Sequence, residues 1–147
     1  MGMKSFLYRL EPVLKSRANE EVKAILAQSA AQKEYAEQLG ELEKLKNDLE
    51  NMFEKECSLI TTQEYLTRWV YMDFLKNSAE RQEDAVEKAR RELERKRKAL
   101  IKARKDKLVL QKHKDRLYES YIAELNRWEA KINDDQCTAL AHRRKGE

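Results

Sequence analysis

Apolar residues follow a helical pattern along the first third of the chain. A stripe begins at Leu14 and settles into a repeat in which spacings of four and three residues alternate. The repeat consists of Ala31, Tyr35, Leu42, Leu45, Leu49 and Met52, with polar Gln38 between them. This a/d spacing predicts a helix over about residues 13–56 that packs on another helix through a narrow seam. Pro12 fits the first turn, where no backbone N–H is needed.

A second helical pattern, longer than the first, follows a short break. The stretch CSLITT at 57–62 predicts the turn, and Thr61 with Glu64 predicts a capping box at the start of the second helix. This helix is expected to cover about 62–132 and to end at the sequence NDDQ, which leaves a frayed tail at 133–147. Its apolar positions are Val86, Ala89, Leu93, Leu100, Ala103, Leu110, Leu117, Tyr121, Leu125, Trp128 and Ile132. The lysines that interrupt the seam are Lys96, Lys107 and Lys114.

Two long helices joined by a short turn pack side by side in opposite directions. The predicted fold class is therefore all-α, with two long helices that form an antiparallel coiled-coil hairpin as a single domain over 1–147. If the chain folds at Leu59, residue i lies opposite about residue 118 − i, and the second helix overhangs beyond Leu117 as a single C-terminal helix. The composition agrees, since 39% of the residues are charged and only three are glycine, as is typical of long helices.

Charge is distributed unevenly along the two predicted helices. Residues 31–87 carry fourteen acidic and seven basic side chains, whereas residues 88–116 carry four acidic and fourteen basic ones. In the predicted hairpin this basic block lies beside the N-terminal segment, which is itself net positive. Pairs within one helix, such as Arg90 with Glu94, are expected to neutralise the block only in part. The sequence therefore predicts a basic open end and an acidic end at the turn.

Four roles are open to the basic block. Its side chains can simply be solvated on a long exposed helix. A basic-zipper protein uses such a block to bind DNA, but places it directly before a leucine zipper, whereas here it lies in the middle of a helix. A membrane-surface helix needs a broad apolar face, and residues 88–107 offer only a narrow aliphatic stripe. An acidic protein surface is therefore favoured as the partner.

No arrangement of residues in the sequence indicates catalysis, a metal site or a cofactor. His113 and His142 lie far apart, and neither has a cluster of Cys or carboxylate residues around it, so both are expected at the surface. Cys57 and Cys137 are expected to lie too far apart for a disulfide. The sequence has no run of about 18 apolar residues that would predict a transmembrane helix. It also has no signal-peptide core, which favours a cytosolic protein.

Aromatic residues crowd the start of the second predicted helix. From Tyr65 to Leu75, eight of eleven residues are apolar or aromatic, but a two-helix seam uses only about two residues in seven. Some of them must therefore be exposed, and Trp69 and Met72 are predicted to point outward, near Tyr65. Exposed patches of this composition commonly bind proteins. The alternative is that the cluster only covers the turn locally.

The stretch FLYRLEPVLKSR at residues 6–17 resembles the N-terminal signature of the FliJ-type flagellar export proteins. The matching positions are Phe6, Tyr8, Arg9, Leu10, Val13, Leu14 and Arg17. The aromatic turn region, the second helix rich in Arg and Lys, and the closing stretch KDRLYESYIAELNRWEAKINDDQ are also similar to that family. The resemblance therefore covers nearly the whole chain. The stalk proteins of virulence type III secretion systems are similar in outline.

The resemblance implies a non-enzymatic component of the flagellar type III export apparatus. Such proteins dock in the central pore of the export ATPase hexamer (FliI-type) and promote its assembly and activity. They also contact the export gate protein FlhA and escort export chaperones. They are cytoplasmic, and their contact with the gate places them peripherally at the inner membrane. No cofactor and no specific nucleic acid is implied.

Two groups of residues are expected to serve these contacts. Those expected to bind the ATPase ring are Arg9, Arg17, Arg97, Lys98, Lys102, Arg104 and Lys105. Those expected to bind the gate are Tyr65, Trp69 and Met72. The alternative functions are a stalk protein of a virulence type III secretion system and a basic coiled coil that binds or tethers nucleic acid.

Overall fold

Two α-helices make up almost all of the computed structural model, which describes residues 5–54 and 61–145. Helix α1 spans Glu11–Glu54 and helix α2 spans Thr62–Lys145, and the described residues include no strand. The helices pack side by side in opposite directions, which confirms the predicted all-α hairpin. The predicted turn near Leu59 lies outside the described residues.

Helix α1 begins slightly earlier than predicted, directly before Pro12. The N–H of Glu11 donates to the carbonyl of Tyr8 at 3.1 Å, and the N–H of Leu14 donates to the carbonyl of Leu10 at 2.9 Å. Pro12 lacks an N–H, and in the first helical turn it leaves no hydrogen bond unmade. The segment before the helix is therefore tied to the first turn by backbone hydrogen bonds.

Helix α2 begins with the predicted capping box. The N–H of Thr61 donates to Oε2 of Glu64 at 2.9 Å, and the N–H of Glu64 donates to Oγ1 of Thr61 at 3.3 Å. This reciprocal pair satisfies two N–H groups that a helix N-terminus would otherwise leave without partners. The N–H of Tyr65 then donates to the carbonyl of Thr61 at 3.0 Å and starts the helical ladder.

The predicted end of α2 at Ile132 is wrong, because the helix continues to Lys145. Asn and Asp cost only a few tenths of a kcal/mol each inside a helix, far less than proline. After Ile132 the first glycine is Gly146, and α2 contains no proline, so neither residue type stops the helix at the predicted position. The hydroxyl of Thr138 also donates to the carbonyl of Asp134 at 2.8 Å, as threonine does within a continuing helix.

The chain divides into two compact units, and each contains part of both helices. Unit 1 comprises Met1–Asn19 with Arg104–Glu147, and unit 2 comprises Glu20–Ala103. Among the described residues of unit 1, Tyr8 and Leu14 are buried. The buried residues of unit 2 are Leu42, Leu75, Ala79, Leu93 and Leu100. The single domain expected from the sequence stays a prediction.

A polar contact crosses the seam between the helices in unit 2. Nε2 of Gln82 donates to the backbone carbonyl of Gln38 at 2.9 Å and to its side-chain Oε1 at 2.7 Å. The register predicted from the turn places Ala36 opposite Gln82, so the observed partner is close to that position. A polar pair in an apolar seam favours one register over its neighbours, because any shift would leave the amides without these partners.

Lysines that interrupt the predicted seam are accommodated by ion pairs. Nζ of Lys114 lies 2.7 Å from Oε2 of Glu11 in unit 1, and Nζ of Lys96 lies 3.5 Å from Oε1 of Glu92 in unit 2. Both lysine side chains are about one-third exposed, so their methylene groups cover apolar surface while the charged ends reach carboxylates.

Candidate interaction surfaces

The N-terminal segment of unit 1 is fixed on α2 by Tyr8, which is only 5% exposed. Its hydroxyl donates to the carbonyl of Leu110 at 3.3 Å and lies 3.0 Å from Nδ1 of His113. Nζ of Lys114 lies 6.0 Å from the centre of the Tyr8 ring, within reach of a cation–π contact. His113 is exposed at the surface as predicted, and its ring nitrogen is a hydrogen-bonding partner for the tyrosine.

Phe6 makes a second aromatic contact with α2. Its ring centre lies 5.3 Å from that of Tyr118 in an edge-on arrangement and 5.7 Å from that of Tyr121. Sequence reasoning missed this packing because Phe6 and Tyr8 precede the helical pattern. A spacing of two residues in an extended segment places both side chains on one side, and this signal would have predicted that they dock together.

In unit 1, the basic residues predicted to bind the ATPase ring differ in their local contacts. Nη1 of Arg17 on α1 lies 3.8 Å from Oδ2 of Asp106 on α2, and both side chains are about two-fifths exposed. Arg9, Arg104 and Lys105 are exposed. Lys105 makes no ion pair with any residue described in the structure. Arg17 is therefore paired within the hairpin, whereas Lys105 has no partner among the described residues.

In unit 2, the three remaining residues of this set are all exposed. Nη1 of Arg97 lies 2.9 Å from Oε1 of Glu94, and its Nη2 lies 3.4 Å from Oε1 of Gln32 on α1. Lys98 and Lys102 make no ion pair within the described part of the chain. The lysines therefore supply most of the uncompensated charge of this set in unit 2.

Four arginines of the basic block pair with a glutamate that precedes them by three or four residues. Nε of Arg90 lies 2.8 Å from Oε2 of Glu87, and Nε of Arg91 lies 3.0 Å from Oε1 of Glu87. Arg90 therefore hydrogen-bonds to Glu87, and the expected partner Glu94 acts on it only by Coulombic attraction. A helical glutamate accepts well from a cation three or four residues further on, and Glu94 instead accepts from Arg97.

These hydrogen bonds change the acidity of the carboxyl groups. Donation from Arg90, followed by donation from Arg91, lowers the pKa of Glu87 from its ordinary value of 4.5 to about 2. A hydrogen bond from Arg95 likewise lowers the pKa of Glu92. Both carboxylates therefore stay charged in mildly acidic solution, and the arginines that hold them remain partly neutralised.

The pKa of Glu87 gives a direct test of this pairing. Since its pKa is depressed in the folded chain, its contribution to stability is complete above pH 4.5 and is lost as the pH falls towards about 2. In an NMR titration of the side-chain carboxyl carbon, we expect a midpoint near 2. Arg90→Gln combined with Arg91→Gln should return the midpoint towards 4.5. Arg95→Gln, which removes one of the two cations that contact Glu92, serves as the control, and an equal shift of Glu87 in that variant would contradict the assignment.

The start of α2 carries an exposed apolar surface in unit 2, which we name the aromatic patch. It consists of Tyr65, Leu66, Trp69, Val70, Tyr71 and Phe74, all of them exposed, with Trp69 at 60% and Phe74 at 62%. The rings of Tyr71 and Phe74 stack with their centres 6.5 Å apart. Leu66, Val70 and Phe74 also line a shallow groove together with Thr67 and Tyr71. This composition and exposure are typical of a protein-binding surface.

The structure corrects one member of the outward pair predicted within this region. Trp69 is exposed, but Met72 is half-buried. Met72 follows Arg68 by four residues and precedes buried Leu75 by three, so it falls on the face of α2 that packs against α1. Arg68 itself donates to the carbonyl of Met52 on α1. Phe74, which the prediction left out, is exposed in place of Met72.

Other kinds of site find no support in the described residues. Among residues 5–54 and 61–143, no three His, Cys, Asp or Glu side chains come together in a group able to hold a metal ion. The two helices described also lack any segment long and apolar enough to span a membrane. Cys137 is a free, exposed cysteine, and Cys57 lies outside the described residues.

A family model described as "Flagellar FliJ protein" matches residues 5–147. The chain belongs to the FliJ family. The match covers essentially the whole chain, including the N-terminal segment that Phe6 and Tyr8 fix on α2. This FliJ protein is accordingly a component related to flagellar protein export. Searches of curated proteins and of solved structures returned no match.

Proposed function

We propose that this FliJ protein is a coiled-coil stalk that docks in the central pore of the flagellar export ATPase hexamer. In this role it promotes assembly of the ring and raises the rate of ATP hydrolysis. The single observation that carries the proposal is the family match over residues 5–147. Exposed cations on α2, such as Lys98 and Lys105, support it because they lack internal partners among the described residues and suit an acidic surface.

A second contact of the same stalk is with the export gate protein FlhA, through the aromatic patch. Its support is the exposure of Trp69 and Phe74, since large exposed aromatic side chains are frequent anchors of protein interfaces. The protein would also escort export chaperones. It would act in the cytoplasm and associate with the membrane only through the gate.

In this proposal the protein is not an enzyme, and it acts by binding alone. The family match favours the flagellar apparatus over a virulence secretion system and over a coiled coil that tethers nucleic acid. Weak, salt-sensitive attraction of the basic block to nucleic acid is compatible with the proposal, because any cationic helix has it. Tight binding to a particular DNA sequence at physiological salt would favour the nucleic-acid alternative instead.

Charge reversal tests the contact with the ATPase. In Arg97→Glu/Lys98→Glu/Arg104→Glu/Lys105→Glu, stimulation of ATP hydrolysis and of ring formation by the purified export ATPase should fall about tenfold, because like charges would then face the acidic surface that the proposal assigns to the pore. Circular dichroism should show an unchanged helical signal. The matched control reverses four exposed lysines of α1, Lys15, Lys23, Lys33 and Lys44. Full stimulation by the first variant, or an equal loss with the control, would reject the proposed contact.

A further inference from the structure

Five side chains of α2 in unit 1 form an exposed surface that no described part of the chain covers. Leu108 and Val109 are 51% and 67% exposed. Lys105, Lys112 and Arg116 are exposed, and their side chains make no ion pair or hydrogen bond with any residue that the structure describes. We name these five residues the basic–aliphatic face.

The spacing of these residues places them together along one side of the helix. From Lys105 they follow at three, four, seven and eleven residues, which is the spacing of an amphipathic stripe. The packed side of α2 lies elsewhere, since Leu110 is half-buried beside Tyr8 and Lys114 pairs with Glu11. Helix α2 therefore has a second stripe with helix-packing spacing, and the described parts of α1 do not occupy it.

The charges on this face are uncompensated, unlike those on the packed side of unit 1. Arg17 is paired with Asp106, and Lys114 with Glu11. By contrast, the acids near the face do not reach its cations. Asp115 accepts from Gln111 at 3.0 Å, and Glu119, one turn beyond Arg116, makes no ion pair with a described residue. Three unpaired cations thus flank two exposed aliphatic side chains.

We propose that the basic–aliphatic face is a docking site for an amphipathic helix of a partner protein, with acidic residues on both sides of a narrow aliphatic stripe. Carboxylates on such a helix would meet Lys105, Lys112 and Arg116, and its aliphatic side chains would cover Leu108 and Val109. Helices commonly bind through anchors at this spacing, and complementary charge fixes their register and speeds association. A membrane surface fits less well, because interfacial helices bury a broad apolar face that includes aromatic residues.

This docking site goes beyond the proposed contact with the ATPase pore. Lys105 is the one residue that the face shares with the predicted ring-binding set, and the test therefore leaves Lys105 unchanged. Binding to the face is measured on the isolated full-length chain, whereas ring docking is measured by ATP hydrolysis. Failure of one proposal can thus be told apart from failure of the other.

The probe is a fluorescently labelled synthetic helix of about three heptads, with leucine at a and d and glutamate at e and g. We expect fluorescence anisotropy to show binding that weakens as salt rises. Lys112→Glu/Arg116→Glu and, separately, Leu108→Gln/Val109→Gln should each weaken binding of the probe about tenfold. The first variant reverses two of the three charges of the face, and the second removes its aliphatic contact. The matched charge control, Lys15→Glu/Lys23→Glu, should bind as the parent chain does. Circular dichroism should show that every variant stays helical.

Four outcomes would overturn the proposal. The first is that the acidic helix does not bind the parent chain. The second is that a probe with lysine in place of glutamate binds equally well. The third is that the control variant Lys15→Glu/Lys23→Glu loses as much affinity as Lys112→Glu/Arg116→Glu, which would mean that the probe is attracted by net charge alone. In the fourth outcome, vesicles of phosphatidylcholine and phosphatidylserine would bind the parent chain through these residues and the acidic helix would not. That result would assign the face to a membrane surface.

Discussion

Leu93→Ala is expected to lower the free energy of unfolding by about 2–5 kcal/mol, the usual cost of removing most of a buried leucine side chain. Leu93 lies on α2 in unit 2 and is only 3% exposed. Few other side chains are buried to a similar degree in the described residues of this unit. Since domains are stable by only about 5–15 kcal/mol in total, this single change should remove a large part of the stability. Urea denaturation followed by circular dichroism measures it.

Leu108→Ala is the matched control for that experiment. Leu108 lies on the same helix but is 51% exposed, and leucine and alanine have similar helix propensities. We expect the free energy of unfolding to change by no more than about 0.5 kcal/mol. Equal losses in the two variants would contradict the view that the seam between α1 and α2 stabilises the hairpin, and would point to helix propensity as the main contribution.

Periodicity predicted the fold well because a hairpin of two helices needs little else. Apolar residues at alternating spacings of four and three define the packed face of each helix, and local chemistry marks the starts at Pro12 and Thr61. The end of α2 was harder to predict. Asn133 to Gln136 weaken a helix only slightly, so a sequence pattern alone does not show whether the backbone hydrogen bonds continue through them.

The interaction surfaces were predicted less completely, for two physical reasons. A count of charges does not show which cations are already paired, and the structure pairs Arg90 and Arg91 with Glu87. Likewise, an apolar run does not show which of its members the partner helix covers. The sequence pattern places Met72 at the surface, but it follows Arg68 and precedes Leu75 on the packed face. Such assignments require knowing which side of α2 faces α1, and the structure shows this.

The orientation of α2 about its own axis also explains why sequence analysis missed the basic–aliphatic face. The basic block in the sequence covers residues 88–116, but the candidate ring-binding residues extend only as far as Lys105. Lys112 and Arg116 belong to the same block, but nothing in the composition separates them from Lys114, which pairs with Glu11. Once the packed side of α2 is known, the unpaired cations fall on the opposite side of the helix.

Trp69→Ala is expected to weaken binding to the cytoplasmic part of the export gate by at least about 2 kcal/mol, or roughly thirtyfold in Kd. Trp69 is 60% exposed in the aromatic patch, so its loss should leave the fold intact. The indole contributes a large apolar area and a polar N–H, the combination that makes tryptophan a frequent anchor of interfaces. Isothermal titration calorimetry with the purified gate domain provides the measurement.

Trp128→Ala gives the sharpest control, because it removes the only other tryptophan of the chain, and Trp128 is also exposed, at 37%. It lies in unit 1, outside the aromatic patch, so binding should be unchanged within about twofold. Phe74→Ala, within the patch, should reproduce much of the loss seen for Trp69→Ala. If Trp128→Ala weakens binding while Trp69→Ala does not, the gate contacts the C-terminal part of α2, and the aromatic patch is left to another partner.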